Sequence, residues 1–279
     1  MELNKIWNES NEITMKEHID EKSIDVILTS PFYNTNKKAG KDKTLLNTNV
    51  KDGQYNYVRY DVFVDTMTNE EYSDYILYLF NNFDKILKTN GVVLWNVSYG
   101  QDGASAMIKL ISEITEKTNF DCADIIIWHK KSVLPNSCSP NKLTRICEYI
   151  FVFCRKTEFY SFYANKSVQS IRDGTTQKMY SPIYNFIEAD NNDEVCPFNK
   201  ATYSTDLCRK LLKIYAPKNA IVYDPFMGSG TTALACKMMG LNYIGSEISS
   251  NQVDWAENRI KNGKGARTED LNKESIFEM

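Results

Sequence analysis

Apolar and polar positions alternate in blocks along most of the chain. Short, β-prone apolar runs occupy 3–7, 23–29, 92–97, 122–128, 148–154, 220–223 and 242–247. Their length and their Val, Ile, Phe and Tyr content predict strands. Between most of them the spacing turns helical. Thr68-Asn69-Glu70-Glu71 has the form of a capping box, and Tyr72, Tyr75, Ile76, Leu79, Phe80, Phe83, Ile86 and Leu87 follow on one helical face, which marks a core stripe. Lys88-Thr89-Asn90-Gly91 is expected to stop that helix. Shorter helical stretches are predicted around 15–19, 104–117, 202–216, 232–239 and 252–261, the fourth bounded by Gly240 and the third stopped by Pro217. Seven strands alternating with helices imply an α/β fold with a largely parallel sheet covered on both faces.

Three stretches break the pattern. Residues 36–65 are basic, rich in Asn and without period, which predicts a mobile loop. Residues 156–198 are polar and tyrosine-rich, and about forty structureless residues inside a compact domain need a reason, so a small inserted recognition region is expected there. The charged tail 263–279 is expected to fray. The anticipated division is a first half over 1–155, an insertion over 156–198, a second half over 199–262 and a flexible tail.

Length changes this picture little: 279 residues fit one large domain or a domain with an insertion. No apolar run approaches the roughly 18 residues of a membrane span, and the first residues lack a basic-then-apolar signal pattern. A cytoplasmic location is therefore expected. The seven cysteines include no Cys-x-x-Cys, and His18 and His129 are the only histidines. No zinc site is expected from that spacing, and histidine-based chemistry has few candidates. A net charge of −3 argues against a chain that coats nucleic acid indiscriminately. Locally, however, Lys37, Lys38, Lys41, Lys43, Lys51 and Arg59 face only Asp42 and Asp52, and Lys130, Lys131, Lys142 and Arg145 face no acid between them. These segments are candidates for phosphate contact.

Two stretches carry chemistry. The first is Asp224-Pro225-Phe226-Met227-Gly228-Ser229-Gly230-Thr231-Thr232, a glycine turn between a predicted strand and a predicted helix. Such a turn brings backbone N–H groups and a helix N-terminus against a ligand. Glu247, 19 residues beyond Gly228, ends the next strand, where parallel sheets bind a ribose diol. This order points to a nucleotide-like cofactor without saying which. The second is Ser30-Pro31-Phe32-Tyr33 after the strand 23–29. Proline closes the strand, so the turn stands at the strand C-terminus, the edge where open α/β sheets hold ligands.

Together these stretches resemble the DNA amino-methyltransferases. The glycine turn with Ile244-Gly245-Ser246-Glu247 is similar to their S-adenosylmethionine motif. Thr29-Ser30-Pro31-Phe32-Tyr33 resembles their catalytic Asp/Ser-Pro-Pro-Tyr/Phe motif. The catalytic motif precedes the cofactor motif, as in the β group of the family, and the likeness runs from about residue 4 to 262, weakest over 36–66 and 156–198. It implies a Rossmann-like, seven-stranded sheet of the S-adenosylmethionine-dependent type. Ser30, Pro31, Phe32 and Tyr33 would be catalytic, with the Ser30 hydroxyl and Pro31 carbonyl accepting from the target amino group and Tyr33 stacking on the flipped base. Asp224, Phe226, Gly228, Ser229, Gly230 and Thr231 would surround the cofactor, Glu247 would hold its ribose, and Thr202 and Tyr203 belong to a further cofactor motif. Lys37, Lys38, Lys41, Lys130, Lys131, Arg145, Arg172 and Lys178 would contact double-stranded DNA. A cognate restriction endonuclease and a homodimer are compatible with the resemblance.

Three departures from the family pattern stand out: Ser10 where many relatives have Asp, Ser204 in place of a proline, and Phe32 in place of the second proline. The serine at position 30 looks more like the N4-cytosine enzymes than the N6-adenine ones, which remain the alternative. An RNA methyltransferase and an inactive nucleic-acid-binding relative are further alternatives.

Overall fold

The computed structural model of the chain describes residues 1–34, 67–99, 104–133, 135, 140–193, 196–199 and 202–263. The loop 36–65 with Lys37, Lys38 and Lys41, and the tail from 264 on, lie outside the described residues. The strands are β1 (Lys5–Trp7), β2 (Ile24–Thr29), β3 (Leu87–Val97), β4 (Phe120–Lys130), β5 (Cys147–Arg155), β6 (Val168–Ile171), β7 (Lys178–Tyr180), β8 (Phe186–Ala189), β9 (Ile221–Asp224) and β10 (Asn242–Ser246). The helices are α1 (Asn11–Glu17), α2 (Asn69–Ile86), α3 (Ser105–Lys117), α4 (Thr205–Tyr215), α5 (Thr231–Met238) and α6 (Ser250–Asn262).

One sheet takes the order β1-β10-β9-β2-β3-β5-β4-β8. Only β5 runs against its neighbours; the other adjacent strands are parallel. All seven apolar runs are therefore in the sheet, and an eighth strand, β8, extends its edge from within 156–198. With only Ile187 and Ala189 buried in it, β8 is too short and too weakly alternating to be told from a loop by pattern. The β6–β7 hairpin forms its own two-stranded sheet.

Alternation along the strands supplies both cores. Val26, Leu28, Val92, Leu94, Ile150 and Val152 face α4, α5 and α6. Ile27, Val93, Trp95, Phe151 and Phe153 face α1, α2 and α3. The capping box starts α2 as expected: Thr68 Oγ1 accepts from Glu71 N at 3.1 Å and the Glu71 carboxylate accepts from Thr68 N at 2.8 Å. Its stripe is buried, with Ile76, Leu79, Phe80 and Phe83 fully inaccessible. Asn90, at φ 64°, interrupts the pairing so that Ile24 faces Leu87 but Val26 faces Val92.

The chain leaves β9 through α5 for β10 on one side, and leaves β2 through α2 for β3 on the other. The boundary between β9 and β2 is the topological switch point, where a crevice opens beyond the strand C-termini. Both candidate motifs end at that boundary.

Candidate active site

At the end of β9, Asp224 is 1% exposed and its carboxylate accepts from four donors. Thr29 Oγ1 donates at 2.6 Å and Phe226 N at 3.0 Å to Oδ1, and Thr232 Oγ1 at 2.6 Å and Tyr203 Oη at 3.1 Å to Oδ2. Burial raises its pKa, opposed by these hydrogen bonds. The bond from Thr29 joins the two motifs across the switch point. Asp224 thus lies beneath the cleft and builds the glycine turn from behind.

The turn follows with Gly228 at φ +54° and Gly230 at φ +77°, conformations that side chains resist. A Cβ at Gly230 would come within 2.6 Å of Ala256 Cβ, so this glycine serves the packing of α5 on α6. Gly228 faces the cleft, and its N–H donates to Glu247 Oε2 at 2.9 Å while Ser249 N donates to Oε1 at 2.9 Å. A carboxylate accepts about four hydrogen bonds, so these two orient Glu247 without exhausting it. Arg259, 4% exposed, donates to Ser229 O at 3.2 Å and Thr231 Oγ1 at 2.8 Å and pairs with Asp193. Burial pushes the Asp193 carboxyl up to about 6, against the pull of Arg259 and Thr205.

Across the switch point, Phe32 stands where the family pattern has a second proline. Its carbonyl accepts from Tyr72 Oη at 2.6 Å, and its ring meets Tyr72 at 5.2 Å, Tyr75 at 6.1 Å and Phe226 at 5.9 Å between centroids. The core helix α2 therefore fixes the turn that a proline would have stiffened. Phe32 also ties the catalytic turn to Phe226 of the glycine turn.

Ser30 sits in a polar cluster assembled from four strand ends. Asn96, near the end of β3, shares the two protons of Nδ2 among Ser30 Oγ at 3.1 Å, Tyr33 Oη at 2.9 Å and Glu148 Oε2 at 3.3 Å. Ser30 Oγ and Tyr33 Oη are 3.0 Å apart, and Tyr33 donates to Glu148 Oε2 at 3.2 Å. Lys130, ending β4, pairs with Glu148 Oε1 and lies 4.8 Å from the Trp128 ring.

One cleft, partly open to solvent, brings the two motifs together. Its wall includes Ser30 and Phe32 from one side, and Phe226, Gly228, Ser229, Thr231, Glu247, Thr202 and Tyr203 from the other. Pro31, Tyr33, Asp224 and Gly230 are not on that wall. Ser10 is: it caps α1 by accepting from Ile13 N at 3.4 Å. Ser204, in the other departure from the family pattern, caps α4 by accepting from Leu207 N at 3.2 Å and donates to Asp190 O at 2.7 Å. Neither histidine lines the cleft: His18 stacks on Trp7 at 3.5 Å and His129 lies 3.2 Å from Glu188.

The model of the N6/N4 DNA methylase family matches residues 24–258, a span that holds both motifs and nearly the whole sheet. The chain belongs to this family of DNA amino-methyltransferases. The type II methyltransferase M.BglII of Bacillus subtilis is 25% identical over 273 residues, covering 91% of this chain and 68% of that one. Among solved structures, the cytosine-N4-specific PvuII DNA methyltransferase superposes with a TM-score of 0.61 at 16% identity over 93% of both chains. The complex of M1.HpyAVI with S-adenosylmethionine gives 0.55 at 20% identity over 92% of this chain and 98% of that one. At these identities the structural likeness speaks for the fold.

Among the described residues, the expected DNA-contacting side chains of this methylase do not form one surface. Lys130 is held on Glu148, Lys131 lies 3.6 Å from Asp190, and Arg145 stacks 4.9 Å from the Tyr99 ring and donates to Tyr99 O. All three stand at the cleft side of the sheet. Arg172 and Lys178 sit on the exposed β6–β7 hairpin instead, reached by a run along the opposite edge, where Tyr163 N donates to Asn90 O and Asn165 N to Ile214 O. Sequence reasoning missed Asn96, Glu148, Tyr72 and Arg259. The first two had a signal: each is a polar residue inside an otherwise apolar strand run, at the sheet edge that carries the motifs. Among the described residues no helix is long and apolar enough to cross a membrane.

Proposed function

We propose that the chain transfers a methyl group from S-adenosylmethionine to the exocyclic amino group of a base flipped out of duplex DNA, with cytosine N4 as the acceptor. The observation that carries this reading is the single cleft that has Ser30 on one wall and the glycine turn with Glu247 on the other. The residues fit the cofactor. Glu247, oriented by Gly228 and Ser249, suits a ribose diol. Gly228, on the cleft wall at φ +54°, has no side chain to hold a ligand away from its backbone. The aromatic wall of Phe226 and Tyr75 suits an apolar heterocycle.

When bound, S-adenosylmethionine supplies an electrophilic methyl group on a sulfonium. The chain's own residues prepare the nucleophile. An exocyclic amino nitrogen is weak because its lone pair is conjugated with the ring. Acceptors at its two N–H bonds draw it towards tetrahedral geometry and release that pair, and the Ser30 hydroxyl and Pro31 carbonyl serve as those acceptors. Holding nitrogen and methyl in line supplies much of the rate. A base inside the duplex is out of reach, so it flips out, and Tyr33 offers it an aromatic face. Arg145, with Lys130 and Lys131 on their acidic partners, stands at the same edge of the sheet and would meet the phosphates of a polyanionic substrate. The serine at position 30 favours cytosine by its resemblance to the N4-cytosine members. A cognate restriction endonuclease belongs to the same proposal.

Transfer of labelled methyl from S-adenosylmethionine is expected to duplex DNA and not to RNA or protein. Label in RNA or protein alone would redirect the acceptor, and tight cofactor binding without transfer would support an inactive DNA-binding relative.

A further inference from the structure

Around Ser30 the hydrogen bonds have one consistent set of directions. A carboxylate in an ion pair, as Glu148 is with Lys130, only accepts, so Asn96 must turn its NH₂ towards Oε2 at 3.3 Å, and Tyr33 gives its single proton to the same oxygen at 3.2 Å. Tyr33 Oη is then an acceptor for Ser30, 3.0 Å away, which makes Ser30 the donor of that pair. Asn96 Nδ2 fills one acceptor position of Ser30 Oγ at 3.1 Å. A hydroxyl oxygen accepts twice, so one position remains for the target amino group. Beyond Tyr33 the line ends on a carboxylate paired with Lys130, with side chains 15% and 22% exposed, close enough to water to exchange a proton.

We propose that Ser30, Tyr33 and Glu148 form a proton relay that removes the surplus proton of the methylated amino group, a role that rests on the amino-methylation reading above. As the N–CH₃ bond forms and the S–CH₃ bond breaks, the nitrogen becomes cationic. One of its N–H bonds then breaks and that proton passes to Ser30 Oγ. Ser30 gives its own proton to Tyr33 Oη, and Tyr33 gives its own to Glu148 Oε2. Neutral Glu148 returns the proton to solvent, and Ser30 and Tyr33 regain their starting form by rotation of their hydroxyls. Asn96 takes no proton, because its NH₂ faces all three members; it is a positioning residue. Among the described residues its Oδ1 is buried without a partner, a costly arrangement that packing alone does not account for.

The test is single-turnover and steady-state methylation of duplex DNA by the Glu148→Gln and Tyr33→Phe variants of this chain and by the double variant. Each single variant is expected to lower kcat by about 100-fold, within the usual range for proton transfer by side chains, with KM for DNA and for S-adenosylmethionine within about twofold of the parent. Because either change cuts the same line, the double variant should be no slower than Tyr33→Phe. Wild-type rates in either single variant, or multiplied losses in the double, would overturn the relay. If Glu148→Gln fails to bind cofactor, Tyr33→Phe decides alone, since it keeps the ring and removes only the hydroxyl. Ser30→Ala separates the two levels. Full activity there sinks the amino-methylation reading itself, whereas an inactive Ser30→Ala beside a normal Glu148→Gln sinks the relay only.

Discussion

Ser30→Ala is expected to lower the single-turnover rate of methyl transfer by about 10²–10³-fold, the usual loss when one preorganised polar group at the reacting centre is removed. The cofactor dissociation constant should change by less than about twofold, because Glu247 and the glycine turn are built by contacts that do not involve Ser30. The fold should survive. Asn96 keeps its bonds to Tyr33 and Glu148, and the turn stays anchored through Phe32 and Tyr72. Quench-flow methylation and calorimetric titration of the cofactor measure the two quantities separately. Near-normal transfer in this variant would take Ser30 out of the reaction, and a large loss of cofactor affinity would make its role one of binding.

Glu247→Ala is expected to have the opposite signature. It removes the acceptor for a ribose diol and also frees the N–H groups of Gly228 and Ser249, which hold the carboxylate at 2.9 Å each. Hydrogen bonds to a charged group contribute about 1.5–3 kcal/mol each, so cofactor affinity should fall by about 100-fold. Transfer at saturating cofactor should fall far less, since no reacting atom is touched. Glu247→Gln keeps one acceptor oxygen and should lose only about 10-fold. An unchanged dissociation constant in Glu247→Ala would refute the ribose assignment.

The strands and the chemistry were legible in the chain for different reasons. Seven apolar runs and the stripe from Tyr72 to Ile86 announce a covered sheet because burial on both faces requires them. The strand Phe186–Ala189 stays hidden because two buried residues are too few to set a period. Glycine-turn spacing and the Ser-Pro turn locate the motifs, but not the switch point between β9 and β2 that unites them, since strand order arises from packing between distant segments. For the same reason Asp224 reads as a ligand contact although four donors enclose it beneath the cleft, and Gly230 reads as a cofactor glycine although Ala256 explains it. Phe32 reads as a weakened turn, and the hydrogen bond from Tyr72, forty residues on, is what no local pattern could reveal. Lys130 shows a positive charge to the sequence and an ion pair with Glu148 to the structure.

The most direct test of the account is mass spectrometry of nucleosides released from duplex DNA after incubation with the protein and S-adenosylmethionine carrying a deuterated methyl group. N4-methylcytosine bearing the deuterated methyl is the predicted product. N6-methyladenine in its place would keep the amino-methylation chemistry and reverse the choice of base. A label found only at cytosine C5, or in no nucleoside at all, would contradict the claim that this cleft methylates an exocyclic amino group.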